Sequence, residues 1–180
     1  TGSMPGSRMG EDLRGRLKEM QELAPDEMDS RLGFRIKQVE ETLVPTEGAE
    51  LWIAQGPGVF QTPYSELIEV LREVDPAPRS RVIDLGAGYG RLGIVAAAME
   101  LQLQFVGFEI SLERVNEARR VYSKLGLDPS QIKCADLAAT EFRLPSADLY
   151  FMYDFGTRQA VEKVLIDLKY LARAQAGVCV

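Results

Sequence analysis

Three glycines at alternate positions follow a short apolar run, in the segment Asp84-Leu85-Gly86-Ala87-Gly88-Tyr89-Gly90. Glycine adopts positive φ easily and lets the backbone approach a ligand closely. The first N–H groups of a helix that follows such a loop have no partner within the helix. Since open α/β sheets bind ligands at the carboxyl ends of their strands, the loop is a candidate binding site.

The spacing of the glycines separates this loop from the dinucleotide fingerprint. That fingerprint reads Gly-x-Gly-x-x-Gly and would place its third glycine at position 91, where this chain has arginine. Asp84, two residues before Gly86, suits a ligand with an ammonium group and repels a pyrophosphate. Glu109 lies 25 residues after Asp84, at the end of the next predicted strand, where it can accept hydrogen bonds from ribose hydroxyls. A dehydrogenase that binds NAD is therefore disfavoured.

Residues 82–90 resemble the first motif of the class I methyltransferases that use S-adenosylmethionine (SAM). Residues 105–110 are similar to the acidic second-strand motif of that family, and Cys134-Ala135-Asp136-Leu137 resembles its adenine-reading element. The resemblance runs from about Phe60 to the end of the chain. It implies a methyltransferase that takes SAM as methyl donor and releases S-adenosylhomocysteine (SAH).

The resemblance implies a role for each matching residue at the methionine and ribose ends of the donor. The backbone of Gly86, Ala87, Gly88 and Gly90 would wrap the methionine part, with Asp84 near its ammonium group. Glu109 would bind the ribose. The alternatives from the residues themselves are a loop-capping Asp84 and a Glu109 that is a surface carboxylate.

At the adenine end the resemblance implies three further contacts. Ile110 would pack on the base, Asp136 would accept from its exocyclic amine, and the Leu137 N–H would reach the ring. Asp136 could also be a turn residue. The arrangement of Asp84, Glu109 and Asp136 at three successive strand ends favours the interpretation that they bind the cofactor.

Candidate catalytic residues lie where the fourth strand ends, in Tyr150-Phe151-Met152-Tyr153-Asp154-Phe155-Gly156. Methyl transfer needs the acceptor, carbon and sulfur in line, and needs a base only if the acceptor arrives protonated. Asp154 could orient or deprotonate an amine or hydroxyl, or cap the following helix. Tyr153 and Phe155 could line an acceptor pocket or belong to the core. The stretch lacks the Asn/Asp-Pro-Pro-Tyr element of enzymes that methylate adenine or glutamine, which disfavours that subclass.

Phe60-Gln61-Thr62-Pro63-Tyr64 is similar to the segment that leads into the glycine motif in some protein-lysine methyltransferases. This likeness implies that Tyr64 lies close to the cofactor and that the acceptor is a protein lysine. A helix start with Thr62 as cap and Pro63 in its first turn is the structural alternative. The buried face of that helix is predicted to be Leu67, Ile68, Leu71 and Val74.

The elements that must position these residues alternate along the chain, which predicts a doubly wound, mostly parallel α/β sheet. The predicted strands cover 81–85, 104–109, 132–135, 147–153 and the start of a fifth at 177–180. The predicted helices cover 92–99, 112–125 and 157–174, and the second of these buries Val115, Ala118, Tyr122 and Leu125 and ends at Gly126. The chain stops short of the last helix and the β6–β7 hairpin of the family. We therefore expect an exposed sheet edge that a second copy pairs with or another segment covers.

Residues 1–50 are predicted to form a helical extension to a SAM-binding domain at 51–180, and residues 1–3 resemble a tag remnant. Leu13, Leu17, Met20 and Ala24 have helical spacing up to Pro25. A second helix capped by Asp26 is predicted to run to Pro45, with its apolar stripe formed by Met28, Leu32, Ile36, Val39 and Leu43. The extension is either a solvated appendage or a lid over the site.

The composition limits the function further. The net charge of −6 argues against broad binding to nucleic acid, and the absence of histidine excludes His-based catalysis and His metal ligands. Cys134 and Cys179 are predicted to be buried, reduced thiols. No apolar run approaches the roughly 18 residues of a membrane span, and no signal peptide is recognisable, so a cytoplasmic protein is expected. No metal site is predicted. The alternatives to a lysine methyltransferase are a metal-dependent O-methyltransferase with Asp154 as ligand and a non-catalytic module that binds SAM or a partner.

Overall fold

The computed structural model describes residues 13–43, 61–153 and 155–174. Within these ranges four strands alternate with helices after a helical N-terminal segment. The strands are β1 (Arg81–Leu85), β2 (Gln104–Glu109), β3 (Ile132–Cys134) and β4 (Leu149–Met152). The helices are α1 (Leu17–Glu22), α2 (Pro25–Leu32), α3 (Ile36–Glu40), α4 (Tyr64–Val74), α5 (Arg91–Ala98), α6 (Leu112–Leu125) and α7 (Arg158–Ala174), with a 3₁₀ turn at Pro129–Gln131.

The four strands form one parallel sheet in the order β3-β2-β1-β4. The predicted α/β class is confirmed, and β1, β2 and α6 have the predicted bounds. β3 and β4 are shorter than predicted, because β3 ends at Cys134 and β4 covers only Leu149–Met152. The predicted fifth strand at 177–180 lies outside the described residues.

Each face of the sheet is covered by its own hydrophobic cluster. Val82, Phe105 and Ile132 point to one face, where they pack with side chains of α1, α2, α4, α5 and α6. Ile83, Leu85 and Phe108 point to the other face and pack against Val164 and Leu168 of α7. Alternate side chains of a strand point to opposite faces, so the short apolar strands supply both clusters.

The N-terminal helices belong to the first of these clusters. Met28 is 0% exposed, and Leu13, Met20 and Leu32 are buried with it against the sheet side of the molecule. A solvated appendage is therefore the wrong description of the apolar side of residues 13–43. The division of the chain at residue 50 stays a prediction, since residues 44–60 lie outside the described part.

Two helix boundaries in this segment differ from the prediction. The predicted helix from Asp26 to Pro45 is interrupted, because Gly33 ends α2 in the left-handed conformation at φ 92° and α3 begins only at Ile36. α2 also begins two residues earlier than predicted: Ala24 is its N-cap and Pro25 its first residue, so the capping role predicted for Asp26 is wrong. Proline is well suited to the first position of a helix, where its missing N–H is not needed.

Three other predictions about single residues are wrong. α4 has Pro63 rather than Thr62 as its N-cap, with no side-chain capping bond. Val74, the last residue of α4, is half-exposed because the helix ends there. Cys134 is an exposed free thiol, since β3 is an edge strand and only Ile132 of its three residues is buried. Cys179 lies outside the described residues.

None of the helices in the described ranges has the length and apolar character that crossing a membrane requires.

Candidate functional site

The carboxyl ends of the strands bring the predicted site residues to one edge of the sheet. Leu85 pairs with Phe108 of β2 on one side and with Met152 of β4 on the other. Glu109 pairs with Cys134 of β3. The glycine loop, Glu109, the segment after β3 and Tyr153 therefore all follow neighbouring strand ends, as the sequence pattern predicted.

The glycine loop turns the chain sharply from β1 into α5. Its three glycines, at 86, 88 and 90, have positive φ values of 84°, 54° and 75°. The N–H groups of Gly86 and Ala87 both donate to the Phe108 carbonyl, at 2.9 and 2.8 Å, which fastens the loop to β2. At Gly90 a side chain is excluded twice, by the left-handed backbone and because a Cβ would lie 2.8 Å from both the Tyr122 hydroxyl and Ile132 Cδ1.

Glu109 is held in place by the backbone on both of its oxygens. Oε2 accepts from the Gly88 N–H at 2.9 Å, and Oε1 accepts from the Ser111 N–H at 2.9 Å. Its side chain is buried, with the guanidinium of Arg114 at 3.8 Å from Oε1. An ionised carboxylate has about four lone-pair sites, so Glu109 keeps acceptor capacity for ligand hydroxyls. The alternative of a surface carboxylate does not fit this burial.

Asp84 is the penultimate residue of β1, just before the glycine loop, and is only 5% exposed. Burial, and after it the nearby charge of Glu109, raises the pKa of Asp84 to about 7. A buried carboxyl with a raised pKa favours a cationic partner, because an adjacent positive charge returns it to its ionised form. The two carboxyl groups thus make this end of the site receptive to an ammonium or sulfonium group.

The residues predicted for the adenine end are more exposed. Ile110 is 41% exposed, as a side chain that covers a flat ligand from one side would be. Asp136 is exposed, and its Oδ1 accepts from the Ala138 N–H at 2.8 Å, which makes it a turn residue in this state. Leu137 is buried in the cluster of the α7 face. Asp136 keeps its second oxygen for another donor.

An open cavity lies at the carboxyl ends of β1 and β4. The glycine loop and Asp84 form one wall, and Phe151 and Tyr153 of the β4 side form another. Gln61 and Thr62, in the segment before α4, also line the cavity, together with Leu67, Arg91 and Leu92. The Gln61 Oε1 atom is buried without a hydrogen-bond partner in the described part of the chain, so the cavity wall contains one unsatisfied acceptor.

The β4 side of this cavity contains one of the two predicted catalytic residues. Tyr153 lines the cavity and is 51% exposed, so it is not a core residue. Phe155 lies against the glycine loop, where a methyl group on Gly86 would overlap its Cβ. Asp154 lies outside the described residues, and its predicted role stays a prediction.

Tyr64 lies elsewhere than the sequence suggested. Its side chain is buried, its hydroxyl donates to Asp29 Oδ1, and it is not part of the cavity wall. The Arg91 guanidinium covers its ring at 4.9 Å and forms a buried ion pair with Asp29. We therefore leave Tyr64 out of the cofactor site, because its hydroxyl and its ring face are already occupied.

The sequence did not indicate the residues that brace the glycine loop from the N-terminal segment. Arg91 of α5 donates to the Gln61 and Thr62 carbonyls at 3.3 Å and also to Asp29 of α2. It thereby connects α5 both to α2 and to the segment that precedes α4. Glu40 of α3 accepts from the Tyr89 hydroxyl at 2.7 Å and from Arg114 at 2.9 Å. The partners lie 62 and 74 residues apart along the chain, so no local sequence pattern indicates these contacts.

No three carboxylates or thiols come together as a metal site within residues 13–43, 61–153 and 155–174.

Comparison with known proteins relates this chain to a protein family. Residues 82–173, which are 92 of the 180 residues, match the family model described as a methyltransferase domain. No curated protein sequence matches the chain. Among solved structures, the chain is similar to PH1948 of Pyrococcus horikoshii, a candidate RNA methyltransferase, with 18% identity and a TM-score of 0.49 over 92% of this chain and 70% of that one.

Two further solved structures are similar at the same level. PH0226 of Pyrococcus horikoshii OT3 shares 18% identity at a TM-score of 0.47, over 62% of this chain and 54% of that one. TrmN of Thermus thermophilus shares 21% identity at a TM-score of 0.46, over 70% of this chain and 36% of that one. The chain thus spans between about a third and about two thirds of the length of these three proteins.

Proposed function

This chain belongs to the methyltransferase domain family, whose methyl donor is SAM, and we propose that it transfers the methyl group to the side-chain amine of a protein lysine. The observation that supports binding of the methyl donor is the geometry of Glu109, which is buried beside the glycine loop and accepts a hydrogen bond from the Gly88 N–H. The donor supplies a methyl group on a positively charged sulfur, and the protein has to hold it and the acceptor in line.

The residues at the strand ends fit the parts of the donor. Gly86, Gly88 and Gly90 let the backbone pass close to the methionine part, and Asp84 offers a carboxylate to its ammonium group. Glu109 has acceptor capacity for the ribose hydroxyls. Ile110 and Asp136 are accessible to an adenine beyond β2 and β3. The unsatisfied Gln61 Oε1 in the cavity wall supports the presence of a ligand with donor groups.

The acceptor side is proposed from the walls of the cavity. Phe151 and Tyr153 present aromatic surface beside the glycine loop, which suits the methylene stem and the amine of lysine. The net charge of −6 favours a basic protein as substrate. Asp154, next to Tyr153, is proposed to orient or deprotonate the amine. We also propose that the protein acts in the cytoplasm, where an exposed thiol such as Cys134 stays reduced.

Titration of SAH by calorimetry, combined with Glu109→Ala, tests the donor site. The variant removes an acceptor of ribose hydrogen bonds, so SAH affinity should fall by about 1–3 kcal/mol, or roughly fivefold to more than a hundredfold. Glu73→Ala, at an exposed position of α4, is the matched control and should bind SAH as the native chain does. Unchanged affinity in Glu109→Ala would refute the ribose assignment.

Transfer from SAM with a labelled methyl group into a cell lysate tests the acceptor. The label should enter protein, should disappear after protease but not after ribonuclease, and should be reduced with Glu109→Ala at SAM concentrations below saturation. Label in RNA or in small molecules would overturn the lysine proposal. Loss of transfer with EDTA would favour a metal-dependent O-methyltransferase, and SAH binding without any labelled product would favour a non-catalytic binding module.

A further inference from the structure

Glu40, the last residue of α3, contacts two residues of the donor site at once. Its Oε1 accepts from the Tyr89 hydroxyl at 2.7 Å and from Arg114 Nε at 2.9 Å. Its Oε2 accepts from Arg114 Nη2 at 3.0 Å, so the pair with Arg114 is bidentate. The Glu40 side chain is largely buried at 15% exposure, which makes this pair much less screened than a surface salt bridge.

Arg114 stands between two carboxylates and engages them unequally. It makes two short hydrogen bonds to Glu40, whereas its Nη1 lies 3.8 Å from Glu109 Oε1, beyond hydrogen-bond distance. The guanidinium is a planar fork, so a bidentate partner fixes its orientation. Glu40 therefore determines which way the positive charge of Arg114 points.

The orientation of Arg114 matters because Glu109 has little acceptor capacity to spare. Two of its lone-pair sites already accept from the Gly88 and Ser111 N–H groups. A guanidinium that bound Glu109 in bidentate geometry would occupy the sites left for ligand hydroxyls. A guanidinium at 3.8 Å leaves those sites free.

We propose that Glu40 is a positioning residue of the donor site, which holds Arg114 away from Glu109 so that the Glu109 carboxylate stays free for the ribose hydroxyls. The inference rests on the proposed binding of SAM at Glu109. Glu40 also contacts Tyr89 of the glycine loop, and this hydrogen bond holds α3 against the site. Phe34 makes a second contact with Tyr89, an edge-on ring contact with the ring centroids 5.8 Å apart. The N-terminal segment is thereby part of the cofactor site.

The test is a double-mutant cycle on SAH affinity, measured by calorimetry with the stoichiometry and the thermal midpoint of each variant. Glu40→Gln should weaken SAH binding about tenfold while the stoichiometry stays at one site, because Arg114 turns to Glu109. In a chain that already carries Arg114→Gln, the same change should weaken binding by about threefold or less. Equal factors in both backgrounds would overturn the proposal, since Glu40 would then not act through Arg114.

Three further variants separate positioning from general stability. Glu41→Gln changes the exposed neighbour in sequence and should leave SAH affinity within about twofold of the native value. Tyr89→Phe removes the other contact of Glu40 and should cost less affinity than Glu40→Gln. Glu40→Asp keeps the charge and should recover most of the affinity, which covers the case in which Glu40→Gln folds poorly.

The outcome also separates this inference from the proposed function. If the native chain binds SAH and Glu109→Ala does not, but Glu40→Gln binds as the native chain does, only the positioning role is wrong. If the native chain does not bind SAH, the donor site itself is wrong and the role of Glu40 fails with it.

Discussion

Asp84 combines near-complete burial with a second carboxyl group nearby, an arrangement that costs folding energy until a cation arrives. Burial and then the charge of Glu109 raise its pKa to about 7, against an ordinary value of about 3.9. Between these two pH values the folded chain binds a proton that the unfolded chain has lost. The contribution of Asp84 to stability is therefore fully present below pH 4 and is lost as the pH rises to about 7.

Asp84→Asn should remove this pH dependence and stabilise the ligand-free chain above neutral pH. The native free energy of unfolding should fall by up to about 1.4 kcal/mol per pH unit between pH 4 and pH 7 through this one group. Urea denaturation at pH 5 and pH 8 measures the effect, and Asp26→Asn, at an exposed carboxyl, is the control. A variant that is less stable than the native chain at pH 8 would contradict the raised pKa. The same variant should bind SAH more weakly, since it lacks the charge for the ammonium group.

The site residues that the sequence alone could identify are those whose position follows from the local pattern of strand and turn residues around them. Asp84 and Glu109 lie in the last two residues of apolar strands, just before a turn, so their place at the sheet edge followed from the strand pattern. Glu40 and Arg114 are 74 residues apart, and Asp29 and Arg91 are 62 residues apart. Nothing local distinguishes these charges from those of a solvated helix face, because their burial depends on how α2 and α3 pack. The hydrogen bond of Tyr64 was not predictable for the same reason, because its partner, Asp29, lies in a distant helix.

At the scale of elements, α6 is the support on which the N-terminal segment rests. Glu117 of α6 is buried and accepts from the Arg35 backbone N–H at 2.7 Å, from the Arg35 guanidinium at 2.9 Å and from Arg120 at 2.8 Å. Burial alone would raise the pKa of Glu117, but the hydrogen bonds from Arg120 and Arg35 lower it to about 2. The start of α3 is thus fixed by an ionised carboxylate.

Glu117→Gln should destabilise the chain by about 1–3 kcal/mol at pH 7, because it weakens several charged hydrogen bonds at once. The stabilising effect is fully present above the unfolded pKa of about 4.3 and is lost as the pH falls toward 2, so the difference between variant and native chain should shrink over that range. Thermal or urea unfolding at pH 7 and pH 3 measures it. The same substitution at Glu162, in an exposed pair with Arg158, should cost less than about 1 kcal/mol. Equal costs at the two positions would show that Glu117 is no better placed than a surface charge.

The bounds of β1, β2 and α6 followed from the sequence because the apolar pattern and the Gly126 stop signal agree with the tertiary structure there. The helix predicted from Asp26 onward failed because its apolar stripe continues across Gly33 while the backbone does not. Periodicity alone cannot reveal a left-handed residue inside a stripe that remains buried on both sides of it.

At the scale of the whole molecule, residues 13–43 and the sheet share one hydrophobic cluster. Met28→Ala should therefore destabilise the entire chain by about 2–5 kcal/mol and leave a single cooperative transition. Far-UV and near-UV circular dichroism during urea unfolding should give coincident curves. Val70→Ala, at a half-exposed position of α4, should have a much smaller effect. An early, separate loss of helix in Met28→Ala would mean that the N-terminal helices fold independently.

Pairing of two copies across the sheet edge stays a prediction.

The strand order β3-β2-β1-β4 has a consequence for how such a protein can change its substrate. The chain moves outward from β1 to β3 and then returns to the other side of β1. Everything proposed to hold the methyl donor precedes residue 138, and the aromatic wall beside it comes from β4 and its continuation. In the proposed function, the residues that hold the donor and the aromatic acceptor wall of β4 therefore come from separate stretches of the sequence. Under that division, mutations in β4 and its continuation can change the acceptor wall while the residues proposed to bind the donor, all before residue 138, stay unchanged. A new acceptor can then be acquired without rebuilding the donor site.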